Sequence, residues 1–397
     1  MDAAALRAAR FGVALSLAPG IGRVRFRELV DELGDCERAL GGAVPASCRD
    51  ELLAGADALI ARAAACGARV AVYGLDDEAS GNARKAPGGS GEASGNARKA
   101  SGGSDEASGR TRKASAASGD APTIAGYPSR LRDLADPPPV VYLSGHDEWL
   151  GQAPIVAIVG TRGATAYGER VTREIAGQLA RAGALVLSGM ARGIDSAAHR
   201  GALGSDGRSG AVLGTGVDIA YPVAHRALHA ELGARGVLIA EQPPGEHATG
   251  GSFPERNRII AALADLVIVI EAGVKSGALI TATRALELGR AVAAVPGPID
   301  SPQCAGSNEL LRDGAQVIAS AADALALVRL TLPPRAPAPD VGGTERVVWD
   351  ALSCGALDLD TLATHTALPA REVMAAVTRL EMSGAVECAL TGEVRRR

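Results

Sequence analysis

Five basic side chains of this sequence come after short apolar runs and lie close to glycines: Arg162, Arg192, Arg256, Arg258 and Lys275. Glycines leave backbone N–H groups free to bind an anion, and a helix N-terminus beside them adds positive potential. Phe253 opens the stretch FPERNR, which holds two of the arginines. Because unpaired bases stack on aromatic rings while cations contact the phosphates, this combination predicts a site for single-stranded nucleic acid.

The glycine spacing excludes two nucleotide-cofactor motifs. Gly163 and Gly168 have the separation of a Walker A loop, but Glu169 and Arg170 follow where that loop requires lysine and a hydroxyl residue. The glycines after the first predicted strand also lack the GxGxxG spacing of a dinucleotide site. Several separated cations suit a chain of phosphates better than a single cofactor, so no cofactor is expected.

No arrangement of histidine, cysteine or serine in the sequence predicts catalysis or metal binding. His225 and His229 lack a third ligand nearby, and neither an HExxH motif nor a GxSxG elbow occurs. His199 lies in a predicted helix as either a packing residue or a general base, and Asp195 is either a base or a helix N-cap. No catalytic residue and no metal site are therefore predicted.

The candidate binding residues also have structural interpretations, which the sequence leaves open. Phe253 either stacks on a base or acts as a hydrophobic staple at the entry of a helix. Arg256 and Arg258 either contact phosphates or pair with a glutamate, Glu255 or Glu271. The one lysine of the basic set has no nearby acidic partner in the sequence, which favours its contact with a ligand.

The elements that position these residues are predicted from six nearly continuous apolar runs, typical of strands buried on both faces: Ile155–Val159, Ala184–Leu187, Ala211–Leu213, Val237–Ala240, Leu266–Ile270 and Ala291–Val295. Helical patterns separate most of them: Gly168–Arg181, Ser196–Leu203, Val223–Ala234, Pro254–Leu263 and Ser276–Leu288. This alternation predicts an α/β fold with a doubly wound, mostly parallel, Rossmann-like sheet. Ligands bind beyond the carboxyl ends of such strands, where we expect the basic residues to converge.

Two smaller domains are predicted on either side of the sheet domain, which we assign to residues 123–331. Residues 1–75 form a predicted helical domain, whose PGIG turn at 19–22 is either a plain helical turn or a helix-hairpin-helix contact with a DNA backbone. A proline-rich linker is predicted over 332–343. Residues 344–397 predict three short helices and a strand, typical of a winged-helix-like domain that binds either a DNA groove or a partner protein.

Three copies of a 14-residue unit occupy residues 78–119 and contain no leucine, isoleucine, valine or aromatic residue. Because these repeats offer nothing to bury, we predict that residues 76–122 form a disordered insertion. Their Arg-Lys pairs leave open whether the insertion is a solvated linker or an auxiliary electrostatic arm.

The composition limits the function classes. The net charge of −4 excludes a uniformly basic surface, so affinity for nucleic acid must come from a local cluster. The six cysteines form no CxxC pair, which argues against a zinc knuckle or a disulfide framework. No apolar run is long enough to span a membrane and no secretory signal is recognisable, so we expect a cytoplasmic protein without membrane contact.

Seven blocks in order resemble the DprA/Smf family of bacterial DNA-processing proteins: GTRGATAYG (160–168), SGMARGIDSAAH (188–199), VLGTGVD…YP (212–222), FPERNRII (253–260), VIEAGVKSGALITA (269–282), GRAVAAVPG (289–297) and GSNELLRDGA (306–315). YPSRL at 127–131 is similar to the segment that leads into the family's main domain. The predicted flanking domains also resemble those of the family, whereas the 14-residue repeats depart from its pattern.

The resemblance implies a protein that binds single-stranded DNA, forms a homodimer through the sheet domain and loads the recombinase RecA during natural transformation. The family's DNA pocket would map onto Arg162, Phe253, Arg256, Asn257, Arg258, Lys275 and Ser276, and the full predicted binding set adds Gly160, Thr161, Arg192 and Gly277. Family members vary at the serine of the first loop. Thr161 replaces it here and keeps a hydroxyl donor.

One alternative belongs to a different class: a nucleoside-monophosphate phosphoribohydrolase on a related sheet. Such enzymes resemble this region and place catalytic glutamates in a PGGxGTxxE segment, whose counterpart at 273–283 has no acidic residue. The sequence therefore favours a protein that is not an enzyme, and the resemblance implies that this protein protects incoming single strands.

Overall fold

The computed structural model describes residues 3–75, 124–332, 341–352, 357–388 and 392–396. Contacts divide the chain into two compact units, Met1–Leu332 and Pro333–Arg397. The insertion predicted over 76–122 and most of the linker predicted over 332–343 lie outside the described residues. Among the helices of the described ranges, none combines the length and the apolar composition that spanning a bilayer requires. The finer domain boundaries stay predictions.

A nine-stranded sheet forms the centre of the first unit. Its strands are β1 (Arg69–Val72), β2 (Val140–Gly145), β3 (Ile155–Val159), β4 (Leu185–Ser188), β5 (Ser209–Leu213), β6 (Val237–Ala240), β7 (Leu266–Val269), β8 (Ala291–Ala294) and β9 (Gln316–Val317). Their spatial order is β1-β2-β6-β5-β4-β3-β7-β8-β9. All neighbours from β6 to β9 pair in parallel, whereas β2 is antiparallel to both β1 and β6. The predicted doubly wound, mostly parallel sheet is confirmed.

Twelve α-helices are described in this unit: α1 (Ala3–Leu17), α2 (Arg23–Leu33), α3 (Cys36–Ala43), α4 (Ala46–Ala65), α5 (Trp149–Gln152), α6 (Ala166–Arg181), α7 (Ile194–Leu203), α8 (Arg226–Arg235), α9 (Ser252–Leu263), α10 (Gly277–Glu287), α11 (Ala305–Arg312) and α12 (Ala321–Leu327). The predicted helix bounds agree within two residues except at α8, which begins after a short 3-10 turn over Val223–His225. The PGIG turn joins α1 to α2, and its contact with a DNA backbone stays a prediction.

Two apolar cores lie on opposite faces of the sheet. One contains side chains of α9 and α10 together with those of the N-terminal helices, among them Val13, Phe26 and Ile60. The other contains side chains of α6, α7 and α12. Since residues of β3, β4 and β7 are shared between the two cores, these strands are buried on both faces, which explains their unbroken apolar runs.

The second unit contains α13 (Gly343–Ala351), α14 (Leu359–Thr366) and α15 (Ala370–Met382) and a sheet of β10 (Leu357–Asp358), β11 (Val386–Cys388) and β12 (Glu393–Arg396) in the order β10-β12-β11. Its core includes Val348, Leu362 and Leu380. The three predicted helices and one predicted strand are present, so the winged-helix-like fold is confirmed.

The strand order places a crevice at one edge of the main sheet. The chain runs from β3 through α6 to β4 on one side, while β7 pairs with β3 on the other side. The loops that follow β3 and β7 therefore diverge, and ligands of doubly wound sheets bind at such a point.

Candidate nucleic-acid interface

Two adjoining cavities open at the carboxyl edge of the sheet. The larger has a volume of about 520 Å³ and lies between the loops that follow β3 and β7. The smaller has a volume of about 270 Å³ and lies beyond β4 and β5. Arg162, Ala191, Phe253 and Arg256 line both cavities, which therefore form one continuous groove. We call it the edge groove.

Three of the five predicted cations are exposed along the edge groove: Arg162, Arg192 and Lys275. Across the described ranges, none of the three forms an ion pair with an acidic side chain. Each cation stands in a loop at the end of a different strand, β3, β4 or β7. The groove thus carries three separated positive charges that are free to contact an anion.

Phe253 lies in the first turn of α9, half-buried, where the two cavities meet. The Arg162 guanidinium carbon is 5.5 Å from the Phe253 ring centroid, and the Tyr221 ring centroid is 5.0 Å from it at an interplanar angle of 36°. The backbone of Gly214 lies against the same ring, where an added Cβ would be 3.2 Å from it. A hydrophobic staple requires an apolar residue before the helix, so that interpretation of Phe253 is wrong.

Arg256 is a buried residue in the floor of the groove. Its Nη1 donates to the carbonyl oxygen of Gly189 at 2.6 Å and to that of Val212, and an added Cβ at Gly189 would overlap the guanidinium. Burial lowers the pKa of Arg256, an effect that nearby Asp195 opposes. Arg256 therefore lines the groove and is held by strand-end carbonyls, and not by a glutamate, which was one of the two alternatives that the sequence left open.

Arg258 does not line either cavity, which corrects its predicted convergence with the other cations. Its side chain is 8% exposed, and Nη2 donates to Glu241 at 2.7 Å while Nε lies 3.4 Å from Asp136. Residues two apart on a helix point to different faces, so Arg256 and Arg258 could not both face the groove. A direct contact between Arg258 and a strand in the groove is therefore not proposed.

The loop after β3 is braced by Glu271, which is buried at the end of β7. Thr165 donates to this carboxylate through its backbone N–H at 2.9 Å and through its hydroxyl at 2.5 Å. The N–H of Thr161 donates to the Glu271 carbonyl at 2.7 Å, and Gly160 lines the larger cavity beside it. Glu271, which the sequence left open as a partner of Arg256 or Arg258, thus holds the loop that carries Arg162.

The remaining predicted residues join α9 to the start of α10. Asn257 accepts a hydrogen bond from Arg256 Nε at 3.2 Å, and its Nδ2 donates to the Gly277 carbonyl at 3.3 Å. Ser276 is the N-cap of α10, with its hydroxyl accepting from the N–H of Ala278 at 3.3 Å. All three predicted residues line the larger cavity, next to Lys275.

The two residues considered as general bases have structural partners. His199 is fully buried, and its Nδ1 is 2.9 Å from the hydroxyl of Ser209, as expected of a packing residue. Asp195 accepts from the N–H of Ala191 at 3.2 Å, while the N-cap of α7 is Gly193. Burial raises the pKa of Asp195, an effect that neighbouring Arg256 opposes. Asp195 is therefore neither the predicted N-cap nor a carboxylate free of partners.

Tyr221 is a groove residue that the sequence analysis did not assign. Its ring is 47% exposed, lines the smaller cavity and contacts Phe253. The one signal was the scarcity of aromatic residues, which make up 3% of the sequence; Tyr221 itself stands between Ile219-Ala220 and Pro222-Val223, which look no different from core residues. Nothing in the local pattern indicated that this loop returns to the start of α9.

Two family models match the chain. The model of DNA recombination-mediator protein A matches residues 122–329, and that of the DprA winged helix domain matches residues 332–389. The first covers strands β2 to β9 and the whole edge groove but not β1, and the second begins one residue before the second compact unit.

Similar proteins come from several bacteria. DNA processing protein DprA of Streptococcus pneumoniae is 40% identical over 204 residues, which cover 50% of this chain and 70% of that protein. Protein Smf of Escherichia coli is 35% identical over 282 residues, 68% of this chain and 75% of that protein. A solved structure concerning the single-stranded DNA binding mode of Helicobacter pylori DNA processing protein A has 31% identity and a TM-score of 0.48, covering 51% of this chain and 93% of that one. The chain belongs to the DNA recombination-mediator protein A family, also called DprA/Smf.

Proposed function

We propose that this protein binds single-stranded DNA in the edge groove without catalysing a reaction, protects incoming strands in the cytoplasm and loads RecA during natural transformation and recombination. The observation that carries the proposal is the arrangement of three cations, Arg162, Arg192 and Lys275, around the contacting rings of Tyr221 and Phe253; among the described residues none of the three has an acidic partner. Proteins that bind unpaired strands generally combine cations that contact the phosphates with aromatic rings that stack on the bases.

The rings favour a single strand over a duplex. Bases in a duplex are already stacked and paired, so an aromatic side chain reaches a base face only when the strand is unpaired. The exposed cations of the groove would contact phosphates, and contacts to the backbone carry no sequence information. Binding should therefore tolerate sequence and depend strongly on salt.

The test is a filter-binding titration of the full chain with oligo-dT and with a matching duplex at two salt concentrations. We expect tighter binding to oligo-dT and a marked loss of affinity at the higher salt. Equal affinity for the duplex, or affinity that ignores salt, would contradict the proposal.

Two substitutions assign the binding to the groove. Arg162→Ala and Lys275→Ala should each weaken binding to the same degree for all sequences and lower the slope of log K against log salt by about 0.7. Arg181→Ala, which removes an exposed arginine at the far end of α6, is the matched control and should leave both quantities unchanged. An unaltered dissociation constant for Arg162→Ala or Lys275→Ala would remove that residue from the site.

RecA loading and homodimer formation enter the proposal through membership of the family, and no residues are assigned to either contact. A dimer would join two edge grooves, so that one strand engages both and dissociates more slowly. Sedimentation of the pure protein tests the dimer. The rate of ATP hydrolysis by RecA on single-stranded DNA, measured with and without this protein, tests whether the protein loads RecA onto the strand. Loading should raise that rate.

The phosphoribohydrolase alternative gains no support from the groove. Asp195 is the single acidic residue among the described side chains that line the two cavities, and it is already engaged by the N–H of Ala191 and by the charge of Arg256. Release of free base from AMP by the pure protein, abolished by Arg256→Ala, would favour the enzyme instead.

A further inference from the structure

Five charged side chains connect the N-terminal helices to α9. Arg23, the first residue of α2, donates through Nε to Glu241 at 2.6 Å and through Nη2 to Glu255 at 2.7 Å. Glu241 also accepts from Arg258 at 2.7 Å, and Asp136 lies 3.4 Å from Arg258 Nε and 3.7 Å from Arg23 Nη1. We call this network the α2–α9 clamp.

A second contact holds the loop that precedes α9. Arg62 of α4 donates through Nη1 to the carbonyl oxygen of Pro244 at 3.0 Å. Pro244 lies between Glu241, a member of the clamp, and the first turn of α9. The N-terminal helices therefore hold both the segment that enters α9 and the helix itself.

The clamp and the edge groove lie on different faces of α9. Phe253, Arg256, Asn257 and Ile260 line the groove, and their spacing of three, four and seven residues defines one face of a helix. Glu255 and Arg258, three residues apart, define the face that meets the clamp. A rotation of α9 about its axis would therefore break the clamp and turn Phe253 away from the groove.

Burial gives the clamp its strength. The side chains of Arg258 and Glu241 are 8% and 14% exposed, and that of Arg23 is 28% exposed. A buried charge that loses its partner is strongly unfavourable, so these groups resist any movement that separates them. Surface ion pairs alone would not restrain the helix in this way.

We propose that the N-terminal helices are a positioning element for strand binding: Arg23 holds Glu241, the partner of buried Arg258, together with Glu255, and these contacts fix the rotation of α9 so that Phe253 and Asn257 face the groove. The inference rests on the proposed function, because its effect is measured as affinity for a single strand. Arg23 and Glu255 line neither cavity, so they act through α9 and not by touching the strand.

The first test compares Arg23→Ala with Arg25→Ala in the full chain, using oligo-dT at a series of salt concentrations. Arg25 lies on the same helix and pairs with Glu28 at 3.2 Å, so its removal deletes the same charge without touching the clamp. We expect Arg23→Ala to weaken binding roughly threefold to tenfold and Arg25→Ala to leave it unchanged. The salt slope of Arg23→Ala should equal that of the wild type, because no phosphate contact is lost.

The second test uses Glu255→Gln, whose expected effect has a sign that electrostatics alone cannot produce. Removing a negative charge near a strand-binding groove should strengthen binding if only the field matters. If Glu255 holds α9 in place, the substitution weakens binding instead. The Glu255 side chain is 51% exposed, so this variant should fold even where Arg23→Ala loses thermal stability.

The outcomes separate this inference from the proposed function. A wild-type chain that does not bind oligo-dT rejects both. Wild-type binding with unaltered affinity in Arg23→Ala, stronger binding in Glu255→Gln, or a salt slope reduced by about 0.7 in Arg23→Ala rejects the clamp alone. Weaker binding in both clamp variants at the wild-type salt slope supports it.

Discussion

Arg256 and Arg258 illustrate how two arginines of one short motif acquire different surroundings. The guanidinium of Arg256 lies in the floor of the groove and donates to main-chain carbonyls, whereas that of Arg258 pairs with Glu241 on the other side of the helix. The difference follows from helix geometry, because side chains two residues apart diverge. A basic residue near a site therefore has to be assigned by its partners and not by its position in a motif.

Tyr221 provides a prediction at the residue scale. Tyr221→Ala should cost roughly 1–3 kcal/mol of binding free energy for oligo-dT, because a base loses a stacking partner. Fluorescence anisotropy with labelled oligo-dT measures the change. Tyr221→Phe keeps the ring and should bind as the wild type does.

An abasic strand of the same length controls for phosphate contacts. Wild type and Tyr221→Ala should bind this strand equally, since it has no bases to stack. A difference between the two proteins on the abasic strand would mean that Tyr221 contacts the backbone instead.

His199 gives a prediction about stability and pH. Burial, together with the nearby charges of Arg256 and His225, lowers the pKa of His199 from 6.5 to about 3. Below pH 6.5 the unfolded chain binds a proton that the folded chain excludes, so stability falls as the pH decreases from 6.5 towards 3. His199 should account for a loss of about 2 kcal/mol in unfolding free energy between pH 7 and pH 5.

Urea unfolding of His199→Gln at the two pH values measures this contribution. The variant should lose less stability on acidification than the wild type does. His247→Gln, at an exposed histidine, is the control and should keep the wild-type dependence. Identical pH dependence in wild type and His199→Gln would contradict the assignment.

At the scale of elements, the loop after β3 depends on a neighbouring strand for its shape. Thr165 caps α6 by accepting from the N–H of Gly168 at 3.0 Å and donates its own hydroxyl hydrogen to Glu271 at 2.5 Å. One hydroxyl thus joins the start of a helix to the end of β7. These two hydrogen bonds of the Thr165 hydroxyl fix the loop that carries Arg162.

Thr165→Ala should therefore affect both stability and binding. Loss of a helix cap costs about 1 kcal/mol of unfolding free energy, and the loosened loop should weaken binding to oligo-dT. Thermal unfolding and anisotropy measure the two effects. Thr165→Ser keeps the hydroxyl and should restore both; a serine variant as impaired as the alanine variant would show that the lost methyl group matters instead.

At the scale of the whole molecule, the edge groove belongs entirely to the unit Met1–Leu332. A chain that ends at Leu332 should therefore bind oligo-dT within roughly twofold of the full chain. Anisotropy of the two proteins at equal salt provides the comparison. A tenfold loss would mean that the winged-helix unit contacts the strand, whereas unchanged affinity assigns that unit to partner proteins.

The periodicity and order of the apolar segments are enough to predict the architecture and the edge at which the site lies. Unbroken apolar runs that alternate with helical patterns require a sheet covered on both faces, and the carboxyl ends of parallel strands meet at one edge. Those rules depend on local periodicity and chain order, both of which can be read directly. They predict that Arg162, Arg192 and Lys275 converge at one edge, and all three line the edge groove.

Which charged side chains find an acidic partner, and which residue that partner is, depends on the packing of segments that lie far apart in the chain. The partners of Arg23 lie 218 and 232 residues away in the chain, and Tyr221 reaches Phe253 through a loop without a regular pattern. Strand β2 likewise reverses direction beside β6, although nothing in its sequence marks it as antiparallel. Such pairings arise when distant segments of the chain pack together. The residue pattern of one segment does not specify which other segment will pack against it.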